Sequence, residues 1–201
     1  MPDTIALRRL RAVLEPHFDE TKTKTVIRRC REAGLLPAGK SGWNGVSAQV
    51  TTKEAALLLI ALAAPGAPID APAEAERIGD FRLRARDHSA SGDPEPRREH
   101  LDGLAELTFL VFLAHEIDAA RGAVPHYEPA SWCIEGHEAS QIAPDRLVFV
   151  GMPGQPDGLV RRVTIISASL MRLVVKAYPM LPPGEIDAAA VDMVKRTIEG
   201  L

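Results

Sequence analysis

Guanidinium groups are the chemistry this sequence concentrates. The stretch from Thr25 to Gly45, TVIRRCREAGLLPAGKSGWNG, carries Arg28, Arg29 and Arg31 just after Lys22 and Lys24. A guanidinium offers a planar fork of N–H donors that fits a phosphate or a guanine edge bidentately. Val26, Ile27, Cys30 and Ala33 fall at helical spacing, so a helix here would bury them and turn the cations outward. Lys40, Trp43 and Asn44 follow in a loop of small residues. The pattern predicts contact with double-stranded DNA, and its candidate contacts are Lys22, Lys24, Thr25, Arg28, Arg29, Arg31, Lys40, Trp43 and Asn44. A solvated helix face with ordinary ion pairs is the plainer account of the arginines. A surface-packed indole is the plainer account of Trp43.

Other chemistries find less support. Cys133 and His137 make one Cys-x-x-x-His pair, but no second pair with zinc spacing follows. His115-Glu116 is not His-Glu-x-x-His, because position 119 is Ala. Lys40 beside glycines lacks the Gly-x-x-x-x-Gly-Lys-Ser/Thr order of a phosphate loop. Ser131, Ser167 and Ser169 have no nucleophile elbow around them, and Ser167 or Ser169 reads as a helix cap. Glu185 and Asp187 read as first-turn charges favoured by the helix dipole. The expectation is a protein that is not an enzyme and uses no cofactor or metal.

The charge is segregated. Residues 1–53 hold ten Lys/Arg against five Asp/Glu, a surplus of +5 within an overall formal charge of −3, which leaves −8 for the rest. A basic head on an acidic body suggests that the head meets an anion. Apolar residues make up 46% but aromatics only 4%, so the core must be mainly aliphatic. Two distant cysteines, Cys30 and Cys133, suit a reducing compartment. No signal-like core follows Met1, and the apolar runs Ala55–Ala64 and Leu107–Ala114 are too short to cross a bilayer. A cytoplasmic protein without membrane contact is expected.

These residues need elements to position them. Helix 1 is expected over 4–16, capped by Thr4, and helix 2 over Thr21–Ala33, stopped by Gly34 and Pro37. Residues 38–51 read as a small β-hairpin or loop, and Thr51 or Thr52 caps an almost wholly apolar helix 3, Lys53–Ala64. Residues 66–96 read as a Pro/Ala-rich linker with a short helix in its first part. A long helix is expected over 97–121, then strands at Ser131–Glu135, Arg146–Val150 and Leu159–Ile166. The last two would form a hairpin through GMPGQPDG. Helices through Tyr178 and over Glu185–Glu199 complete the chain. The fold class is mainly α with a small antiparallel β region. Residues 1–65 form a winged helix-turn-helix head and residues 97–201 an α+β domain for oligomerisation or partner binding.

The stretch TVIRRCREAGLLPAGKSGWNGVSAQVTTKEAALLLIAL resembles the head of MerR-type regulators and of phage excisionase-like domains. The resemblance rests on Thr25, Arg28, Arg29, Gly34, Leu35, Leu36, Pro37, Asn44, Gly45, Thr51 and Leu59, within residues 21–64. It implies a recognition helix, a wing and DNA contact, but not effector sensing. The expected function is therefore sequence-specific transcriptional regulation, of phage or prophage type. The expected state is a homodimer or higher homo-oligomer, with the transcription machinery as a partner of the body. Two alternatives stand beside it. One is a viral packaging component resembling a small terminase subunit; the other is a winged head that binds protein.

Overall fold

Capping residues decide the first third of the chain. The computed structural model describes residues 4–38, 47–88, 97–100, 107–123, 129–135, 138–142, 145–150 and 163–180. Strand β1 (Thr4–Ala6) is followed by α1 (Leu7–Leu14) and α2 (Glu20–Glu32). Strand β2 (Gln49–Thr51) runs into α3 (Thr52–Ala63). Helix α3 starts in a full capping box: Thr51 Oγ1 accepts from the Glu54 N–H, and the Glu54 carboxylate accepts from the Thr51 N–H at 2.6 Å.

Helix 1 begins later than its sequence suggests. Thr4 does not cap it, because Thr4–Ala6 pairs antiparallel with Gln49–Thr51. Ile5 and Val50 face each other across that ladder and are both buried. The segment read as a small β-hairpin or loop ends in β2, which pairs with β1, and residues 39–46 lie outside the described part.

The stretch read as a linker holds the short helix expected in its first part, and also a strand that was not expected. Helix α4 (Ala71–Gly79) and strand β3 (Arg82–His88) fall inside it, with Ala71, Ala75, Ile78, Phe81 and Leu83 buried. Its Pro and Ala content misled the reading: Pro72 sits in the first turn of α4, where a missing N–H is harmless.

The long helix over 97–121 is also corrected. Arg97–His100 is strand β4, paired with β3. Helix α5 covers only Phe109–Asp118 and continues as a π turn, Ala119–Ala123, in which Gly122 takes a φ of 116°. The Thr108 hydroxyl caps α5, and the Phe109 N–H donates to the Phe81 carbonyl at 2.8 Å. Residues 97–100, Leu107 and Thr108 pair with the 81–88 stretch instead of continuing a helix.

Strands β5 (Trp132–Glu135), β6 (Glu138–Gln141), β7 (Asp145–Val150) and β8 (Val163–Ile166) follow, then α6 (Ala168–Ala177). The larger sheet is antiparallel throughout, in the order β4-β3-β7-β6-β5-β8. β7 and β8 are not neighbours, so the hairpin expected between them does not form. β5 and β6 lie between them. The helix expected over Glu185–Glu199 lies outside the described residues. Among those residues helix predominates over strand.

Helix α3 is the centre. Ala55 through Ala63 are all buried, and α2, α4 and α5 pack around it, with β8 at one side. The buried apolar residues form one cluster running from Ile5 to Tyr178. Four aromatic residues, Phe109, Phe112, Trp132 and Phe149, fill the space between α5 and the sheet. Their ring centroids lie 5.0–5.8 Å apart in tilted and edge-on contacts.

Two polar assemblies tie this core together. Glu116 is fully buried on α5 and accepts from the Trp132 indole N–H at 2.7 Å and the Ala130 N–H at 2.8 Å. Asp118 accepts from the Thr52 hydroxyl at 3.0 Å and from Arg121 at 2.8 Å. Arg121, itself buried, also donates to the Pro179 carbonyl and lies 4.9 Å over the Tyr178 ring. The Tyr178 hydroxyl donates to the Thr51 carbonyl at 2.9 Å. The start of α3 is thereby clamped to the ends of α5 and α6.

Two outcomes follow from these groups. Glu116→Gln keeps one acceptor but turns an amide donor toward a second N–H, so urea unfolding followed by circular dichroism will show a loss of about 1–3 kcal/mol. Burial raises the Asp118 pKa above the usual carboxylate value, against the opposing pull of Thr52 and Arg121. A raised folded-state pKa makes a contribution that is complete below the unfolded value of roughly 3.9 and is withdrawn as pH climbs through the folded one. Melting curves over a pH series will show that this decline, present in the parent protein, is absent in Asp118→Asn.

Candidate nucleic-acid interface

The cations sit on a helix whose two ends are fixed by its own sequence. Asp19 caps α2 by accepting from the Lys22 N–H at 2.7 Å. At the far end the Leu35 N–H reaches the Cys30 carbonyl at 2.8 Å and the Gly34 N–H reaches that of Arg31 at 3.0 Å. This is the paired bonding of a Schellman stop, and Gly34 supplies its left-handed residue at φ 76°. Leu36 then turns back into the core. Thr23, Val26, Ile27 and Cys30 form the buried face, packed toward α3 and α4. Burial pushes the Cys30 thiol up to about 11, which keeps it protonated and inert.

The opposite face is cationic. Lys24, Arg28 and Arg31 are exposed and stand at i, i+4 and i+7. They form one stripe about 10 Å long at 1.5 Å rise per residue. Thr25 borders this stripe half-buried. Lys22 is half-buried too, and desolvation lowers its pKa. Arg29 lies at the margin, with its Nε buried and its Nη1 2.8 Å from Glu32. Lys40, Trp43 and Asn44 lie outside the described residues. The structure therefore brings together the α2 members of the predicted set, with Lys24, Arg28 and Arg31 foremost.

The stripe carries its own counter-charges. Lys24 pairs with Glu20, and this contact holds the Glu20 carboxyl below its ordinary pKa. Arg28 Nε lies 3.8 Å from Glu32, which also holds Arg29. Arg31 makes no ion pair among the described residues. Arg8 and Arg9 on α1 are exposed as well, and the Arg8 N–H donates to Ser47 at 3.4 Å. That bond places the start of α1 beside Ser47, just before β2. The sequence reading counted these two arginines in the charge of the head but did not name them as contacts.

The remaining candidates serve the fold. Ser167 caps α6, and Ser131 Oγ accepts from the Ala168 N–H at 2.8 Å. Cys133 is half-buried on β5, and His137 lies outside the described residues. Among the described residues no group of three His, Cys, Asp or Glu converges as a metal would require. Nor is any helix there long and apolar enough to cross a membrane. The residues that sequence reasoning missed are Glu116, Asp118 and Arg121. Their signal was three charges ending the apolar run FLVFLAHEIDAAR.

No protein-family model, curated protein or solved structure matches the chain.

The helix stop makes a direct prediction. A Cβ at Gly34 would meet nothing within 4 Å, so Gly34→Ala suffers only the left-handed backbone. Thermal unfolding will show a loss of about 1 kcal/mol, with the fold retained.

Proposed function

We propose that this chain is a sequence-specific DNA-binding regulator that lays α2 in the major groove. The observation that carries the reading is the stripe of Lys24, Arg28 and Arg31 on a helix capped at both ends and buried along its other face. A rigid helix about 10–12 Å across fits a major groove about 12 Å wide. Phosphate neutralisation supplies most of the affinity, and arginines at base edges supply the choice of site. Helix α2 is held for this role from behind, by α3 and α4, while α1 packs on α6. Arg8 and Arg9, exposed on α1, add two further cations to the same basic segment. A homodimer would match two heads to a palindromic site, and the acidic remainder of the chain would stay clear of the duplex.

Sheared genomic DNA from the source organism, incubated with the full chain at physiological salt and then sequenced, tests this. A few short sites will be enriched. Arg28→Ala with Arg31→Ala will lose them, each substitution weakening binding by about 1–3 kcal/mol. Uniform recovery that fades as salt rises would reduce the interaction to phosphate attraction. No recovery would end the DNA reading.

A further inference from the structure

The stripe on α2 is largely occupied by its own carboxylates. Glu32 is the last residue of the helix, where the negative end of the helix dipole disfavours an acid. What the position offers is contact with arginine. Its Oε2 lies 2.8 Å from Arg29 Nη1 and its Oε1 lies 3.8 Å from Arg28 Nε. Glu20 holds Lys24 in the same way one turn into the helix. Of the cations on the stripe, only Arg31 can meet a phosphate without exchanging a partner.

We propose that Glu32 is a specificity-determining residue that competes with phosphate for Arg28 and Arg29. The inference rests on the reading of α2 as the DNA-contacting helix. The pairs of the exposed Arg28 and Lys24 are weak and exchange readily, and that of the half-buried Arg29 keeps its Nη1 within reach of solvent. A phosphate alone therefore gains little by displacing Glu32, because one anion replaces another. A site that offers a base edge together with a phosphate does displace it, since two partners then stand against one carboxylate. Glu32 in this way suppresses sequence-independent binding more than it suppresses binding to the target.

Fluorescence anisotropy of the full chain on a short random-sequence duplex, over a salt series, tests this. The proteins are the parent, Glu32→Gln, Glu32→Ala, and Asp70→Asn as a control with the same charge change. Asp70 is exposed at the start of α4, away from the stripe. Both Glu32 variants will bind the random duplex roughly tenfold more tightly at low salt. Their salt slope will steepen by about 0.9 for each phosphate newly engaged, a change of about one to two. The Asp70→Asn slope will match the parent. Unchanged slopes in both Glu32 variants would overturn the competition while leaving the DNA reading in place. So would an Asp70→Asn slope that steepens equally. Failure of every protein to bind at the lowest salt would overturn both. Glu32 is exposed, so melting curves will confirm that the variants keep the fold.

Discussion

A helix with no polar side dictates the architecture. From Ala55 to Ala63 nothing on α3 can face water, so neighbours must cover it all round. Each of its buried Leu and Ile side chains adds about 1.5–3 kcal/mol only when that cover is complete. No single layer can supply it. α2 and α4 come from the first half of the chain, and α5 and β8 from the second. The basic segment and the acidic segment are therefore built on one shared core. This is why a reading that split the chain at a Pro-rich stretch found ordered elements there.

The polar start of α3 explains the rest of the assembly. Thr51 and Thr52 open the helix, and both serve twice. Thr51 caps the helix with its side chain and accepts Tyr178 with its carbonyl. Thr52 enters the helix and donates to Asp118. Arg121 could not be buried without Asp118, the Pro179 carbonyl and the Tyr178 ring around it. Glu116 likewise has its donors supplied by Ala130 and Trp132 at the start of β5. The charges of the apolar run thus fix how the layers meet.

Local signals were legible and distant ones were not. Helices α2, α3 and α6 could be read because their stops and starts lie in neighbouring residues: Gly34, Thr51 and Ser167. The outward face of α2 was legible for the same reason, since Val26, Ile27 and Cys30 leave Lys24, Arg28 and Arg31 no other side. Strands β1, β3, β4 and β6 were missed. Thr4–Ala6 and Arg97–His100 become strands only because partners far along the chain pair with them. Glu-Ala-Ser-Gln in β6 has little strand propensity of its own and is held between β5 and β7. The acids beside the arginines were visible in the sequence, but only the side-chain geometry shows which cation each one holds.

The bond from Tyr178 to Thr51 joins residues 127 positions apart. During synthesis at about 5–20 residues per second, the Thr51 carbonyl waits roughly 6–25 seconds for that hydroxyl to emerge. Throughout that interval α3 lacks the cover that later segments bring, and its apolar surface stands open on the nascent chain. The basic helix, whose caps are all local, can form during the same wait. The apolar face of α3 therefore needs shielding through most of translation, until residue 178 has emerged.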